Sequence, residues 1–208
     1  MNYLKIKKLI PDNVNLLVVS KGFQSNDIQN IHSLGQIDFG ESKVQELFTK
    51  LIFNNNKTLI WHFIGKIQSN KIRKIVENFD FIHSVDSYQK LLKISNVAVE
   101  IKKTPNVMIQ IKLVNDPSKG GISYKELIES WDQIKEIKGI RLNGLMTINP
   151  KGLSSNQNFE LFKKCRSIAD ELDLPECSMG MSNDWEEAID AGSTWIRLGS
   201  AIFGKRNY

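Results

Sequence analysis

The stretch LLVVSKGFQSNDIQNIHSLGQIDFG, residues 16–40, decides how the chain is read. Its first five residues, LLVVS, form the apolar run of a strand covered on both faces. The polar-periodic segment after it opens at Ser25, a helix-capping residue type, and stops at Gly35. A second apolar run, IDFG (37–40), follows at once. Strand, helix, strand in so short a span implies parallel strands joined by a right-handed crossover.

The same alternation continues to the end of the chain. IDFG is followed by the helix pattern ESKVQELFTKLIF, and six further apolar runs come after it. They are LIWHFIG (59–65), FIHSV (81–85), VMIQIKL (107–113), IRLNGLMTI (140–148), CSMGM (177–181) and WIRLGSAIFG (195–204). Each but the last precedes a helix pattern, with Ser69 or Asn70 placed to cap the one after LIWHFIG. Eight such units close most naturally into a (β/α)8 TIM-type barrel, although about 23 residues per unit is tight for that fold. An open doubly wound sheet is the competing architecture. No linker or low-complexity run divides the chain, so residues 1–208 are read as a single domain.

Composition narrows the function classes. Of 208 residues, 41% are hydrophobic and 25% charged, the balance of an ordinary soluble globular protein. No apolar run approaches the roughly 18 residues of a membrane span, and the N-terminus lacks the pattern of a signal peptide, so the cytoplasm is expected. Cys165 and Cys177 fall in a helix and a strand pattern and are expected to be buried thiols. His32, His62 and His83 match no metal-ligand spacing, and no metal is expected. The net charge of +5 invites a nucleic-acid reading, but the lysines are scattered among acids. Clusters such as KIRK (71–74) read as solvated helix faces, and no nucleic acid is expected.

In a barrel, function gathers at the carboxyl ends of the strands. That rule selects Lys21, Glu41, Gly65, Asp86, the 118–121 loop, Asn149, Ser182, Gly199 and Ser200. In SMGMSND (178–184), Ser182 either caps the next helix or shares its hydroxyl with an anion; taken alone, the plain cap is the simpler reading. RLGSAIFG (197–204) adds Arg197, Gly199 and Ser200 on the neighbouring loop, and two such loops together point to a phosphate. A phosphate beside Lys21 indicates a phosphorylated carbonyl compound, either a phosphosugar held transiently or pyridoxal 5′-phosphate (PLP) held permanently. The amine attacks only when neutral, and a buried strand end and Arg197 both favour that form.

The chain resembles the small PLP homeostasis family, the YggS/PROSC-type proteins related to the alanine racemase N-terminal domain. The motifs that carry the likeness are LLVVSK, DFGES, WHFIGKIQSNK, IHSVDS, GLMTI, SMGMSND and AGSTWIRLGSAIFG, in matching order along nearly the whole chain. The family usually reads F-G-E-N-Y where this chain has FGESK, so Ser42 and Lys43 stand for asparagine and tyrosine.

The resemblance implies a fold-type III PLP barrel without a C-terminal β-domain, with PLP as an internal aldimine on Lys21. It implies phosphate contacts from Ser182, Gly199 and Ser200 with Ser178 close by, and Arg197 on the pyridine nitrogen. A guanidinium there disfavours protonation of the ring and weakens PLP as an electron sink. His62 either packs near the ring or is a satisfied core histidine. Without the further domain of the racemases the site is expected to be open and short of a second base. The implied role is therefore binding PLP and delivering it, with apo PLP-dependent enzymes as clients and no established turnover; a monomer is expected because no extra interface segment is appended. The alternatives are an amino-acid racemase or a Schiff-base phosphosugar lyase, for which Glu41 or His62 is the available acid–base partner. Lys119 is either a solvated loop charge or a receiver of PLP during transfer.

Overall fold

The computed structural model describes residues 2–51, 58–114 and 120–204. Its strands are β1 (Asn15–Val19), β2 (Asp38–Glu41), β3 (Ile60–Phe63), β4 (Phe81–Val85), β5 (Asn106–Lys112), the two-residue β6 (Ile122–Ser123), β7 (Arg141–Met146), β8 (Glu176–Ser178) and β9 (Trp195–Leu198). Each strand of the circuit β1-β2-β3-β4-β5-β7-β8-β9 pairs in parallel with the next, and β9 returns to β1. The closing register sets Leu16 opposite Ile196, Leu17 opposite Arg197 and Val18 opposite Leu198. This closure excludes the open doubly wound sheet. Among the described residues, strand β6 pairs with β5 alone and stands outside the circuit.

The helices are α1 (Tyr3–Lys7), α2 (Ser25–His32), α3 (Val44–Leu51), α4 (Ile72–Asn78), α5 (Tyr88–Glu100), α6 (Tyr124–Lys135), α7 (Ser155–Glu171), α8 (Trp185–Asp190) and α9 (Ser200–Phe203). Several ends differ from the sequence reading. Ser25 is the first helical residue of α2, because the Asp27 carboxylate accepts from the Gln24 amide and makes Gln24 the cap. Ser69 and Asn70 form a 3-10 turn, and α4 begins only at Ile72. The final run 195–204 divides at Gly199 into strand and helix.

Strand alternation sorts the apolar side chains into two cores. Leu16, Val18, Ile196 and Leu198 face outward to the helices, whereas Leu17, Met108, Met146 and Trp195 cluster inside the barrel. Leu17 is fully buried, and truncation to alanine at such a site costs about 2–5 kcal/mol. The interior also holds buried polar groups, namely His62, His83, Ser178 and Arg197. Cys165 on α7 and Cys177 on β8 are free, buried thiols, and contact with Cys177 together with burial pushes the Cys165 thiol well up. Among the described residues, no helix is long and apolar enough to cross a membrane.

Candidate cofactor site

The carboxyl ends of β1, β7, β8 and β9 enclose a cavity of about 660 Å³, within the range of small-molecule sites. Its wall includes Lys21, Ser182, Arg197, Gly199 and Ser200, five of the six residues that the resemblance assigns to the cofactor.

Lys21 occupies the corner of a β-turn that ends β1. The Phe23 amide donates to the Ser20 carbonyl at 3.0 Å, and Gly22 takes the position of positive φ (76°) that such a turn requires. The turn is anchored on three sides. The Gly22 amide donates to Glu46 at 2.9 Å, and Phe23 stacks on Phe203 with centroids 4.3 Å apart. Lys50 donates to the Ser20 carbonyl at 2.8 Å, while the Ser20 hydroxyl donates to Glu41. A lysine on a corner so fixed is presented to the cavity by its backbone.

Ser182 sits in the loop between β8 and α8. The Asp184 amide donates to the Met181 carbonyl at 3.0 Å, and the Met181 amide donates back to the Asp184 carboxylate at 2.6 Å. The cap position of α8 is Asp184, so the plain-cap reading of Ser182 does not hold. Its hydroxyl instead receives the Ser200 hydroxyl at 3.2 Å and the Ala201 amide at 3.3 Å, at the start of α9. Hydroxyls and an amide from two loops thus converge on one point.

Arg197 forms the floor. It is buried, and its guanidinium donates to the Ser178 hydroxyl oxygen at 2.8 Å and to the Thr147 carbonyl at 2.8 Å. Burial pulls its pKa down to about 10, with the Asp184 carboxylate acting in the opposite direction, so it stays charged at neutral pH. Ser178 is not part of the cavity wall; it is fully buried beneath it and acts on the site through Arg197.

Other residues at the strand ends lie elsewhere. Glu41 is fully buried and bound to Lys50 at 2.5 Å, with burial pushing its carboxyl up and Lys50 holding it back. Gly65 packs against the Ser42 backbone, and Asp86 binds Lys90 at 2.6 Å. His62 is buried inside the barrel, stacked on Phe81 at 4.4 Å, and does not line the cavity. Ser42 and Lys43 line a separate groove with Lys66 and Lys71. Lys119 lies outside the described residues. Sequence reasoning missed most of the loop after β7: beyond Asn149, the wall includes Pro150, Lys151, Gly152 and Leu153 of that loop and Asn158 of α7. Only the strand-end position of Asn149 pointed there.

Fold and site define a (β/α)8 barrel protein in which a lysine after the first strand shares one cavity with serine hydroxyls that follow the last two strands of the circuit. The model of the family described as "Alanine racemase, N-terminal domain" matches residues 1–207. The chain belongs to that family. The pyridoxal phosphate homeostasis protein of Synechocystis sp. is 41% identical to it over 98% of this chain and 97% of that protein. The protein of the same name from Escherichia coli is 36% identical, covering 95% and 88%. The structure of PipY of Synechococcus elongatus with PLP bound superposes with a TM-score of 0.94 at 37% identity, covering 98% of each chain. Alanine racemase of Clostridium difficile shares the fold at a TM-score of 0.83 and 15% identity, the match covering 56% of that longer chain.

Proposed function

We propose that this protein binds pyridoxal 5′-phosphate, carries it on Lys21, and serves PLP homeostasis by holding the cofactor and passing it to apo PLP-dependent enzymes. The observation that carries this reading is the one cavity shared by Lys21, Ser182, Arg197, Gly199 and Ser200. These residues fit the group chemically. The bonds among Ser182, Ser200 and the Ala201 amide are long at 3.2 and 3.3 Å, and a phosphate is a stronger acceptor for the same donors. When bound, PLP supplies an aldehyde that an amine captures and a pyridine ring that draws electrons from it.

The chain's own residues favour holding over turnover. Arg197 keeps its proton at neutral pH and only donates, so it would hold the pyridine nitrogen of PLP as a hydrogen-bond acceptor and disfavour its protonation. The named homeostasis relatives and the PLP-bound PipY support the same role. Two neighbouring free thiols fit a reducing compartment, and we place the protein in the cytoplasm as a monomeric single-domain barrel with no nucleic-acid or membrane partner.

The test is an absorption spectrum of the purified protein with added PLP, then borohydride reduction and peptide mapping. A visible band that reduction fixes onto Lys21, and that Lys21→Ala abolishes, is the expected result. A colourless protein with Lys21 unmodified overturns the proposal.

A further inference from the structure

Beneath the cavity, hydrogen bonds in series cross the barrel interior. Asp38 Oδ1 lies 3.0 Å from His62 Nε2, and His62 Nδ1 lies 2.9 Å from His83 Nε2. His83 Nδ1 lies 2.9 Å from the Ser178 oxygen, which Arg197 meets at 2.8 Å. The series begins at the amino end of β2 and passes through β3, β4 and β8 to Arg197 on β9. Both imidazoles are fully buried, and His62 is flanked by Phe81 and by Trp195 at 4.9 Å.

The carboxylate end fixes the direction of every bond between neutral rings. Arg197 only donates, and an ionised Asp38 only accepts. His62 must therefore carry its proton on Nε2 and present a bare Nδ1, which accepts from His83 Nε2–H. His83 Nδ1 is then bare in turn and accepts the Ser178 hydroxyl proton, leaving the Ser178 oxygen to receive Arg197. The reverse order would set a bare nitrogen of His62 against a carboxylate. Two neutral rings satisfy the series, and burial lowers the pKa of both histidines. His62 and Arg197 lower that of His83 further.

We propose that Asp38, His62 and His83 are positioning residues for Arg197, acting through Ser178. They hold the Ser178 hydroxyl proton turned away, so its oxygen accepts from the guanidinium and, with the Ser178 and Thr147 carbonyls, fixes it at the cavity floor. The consequence for a bound cofactor rests on the PLP reading; the bond order itself does not. Asp38 thus acts on the site from the opposite end of the barrel without lining the cavity.

Nitrogen-15 NMR of the histidines in the ligand-free protein tests the bond order. Both rings are expected as neutral Nε2–H tautomers in the wild type and in Asp38→Asn, which keeps an acceptor oxygen. Asp38→Ala is expected to give mixed tautomers. With PLP added, Asp38→Ala is expected to shift the visible band and weaken binding about threefold to tenfold, and Asp38→Asn to restore both. Should Asp38→Ala fail to fold, His62→Phe cuts the series while keeping a ring between Phe81 and Trp195, and the same spectral change is expected. Unchanged tautomers in Asp38→Ala, or a folded variant with wild-type band and affinity, overturn the proposal. A wild type that takes up no PLP sinks the cofactor reading instead, while the ligand-free tautomers still decide the bond order.

Discussion

Ser182 illustrates how the work of one side chain depends on its neighbours. Its sequence context, a serine before a helix pattern, is that of a cap, yet the hydroxyl faces the start of α9 from the loop after β8. Ser182→Ala is expected to weaken PLP binding about tenfold, the value of one good charge-assisted hydrogen bond, while reduction still fixes PLP on Lys21. Titration followed by absorbance checks both halves. Gly65 is a different case, because its importance is steric. A Cβ there would lie 2.0 Å from the Ser42 carbonyl oxygen, so β3 and the β2 loop meet only through a glycine. Gly65→Ala is expected to cost about 3 kcal/mol or more, read from denaturant midpoints. The sequence marked Gly65 as a strand-end residue, but nothing local in it names Ser42 as the atom it must avoid.

Between elements, the tie that matters most joins β1, β2 and α3. Lys50 reaches from α3 to the Ser20 carbonyl and the Glu41 carboxylate, and all three groups are buried. This tie holds the strand end from which Lys21 projects. Removing one partner of a buried pair strands the other charge, so Lys50→Met is expected to destabilise by about 3–5 kcal/mol. Adding Glu41→Gln is expected to recover a large part of that loss, and a double-mutant cycle in urea measures the recovery. The helix ends were less legible than the helices themselves. Apolar spacing reports which face of a segment is buried, whereas the cap of α2 falls on Gln24 because the Asp27 carboxylate takes the Gln24 amide.

For the molecule as a whole, the polar interior of the barrel gives stability a pH dependence. His62 and His83 are held below the ordinary histidine value of 6.5 by burial, so the unfolded chain binds protons that the native state does not. Their contribution is present above about pH 6.5 and is lost as pH falls toward the lowered folded values, at about 1.4 kcal/mol per unit for each ring. Urea unfolding at a series of pH values is expected to show that decline, with a shallower slope in His62→Phe. By itself the sequence determined the strand–helix alternation, the barrel class and the strand-end lysine with its two glycine- and serine-bearing loops, because periodicity and turn chemistry are local properties. Only the tertiary structure brought Lys21 and Ser182 onto one cavity, buried Glu41 against Lys50, and aligned Asp38, His62, His83 and Ser178 beneath Arg197. Such groupings depend on which strands become neighbours around a closed sheet and on how its pleat turns each side chain. Those are long-range facts that no stretch of chain holds within itself.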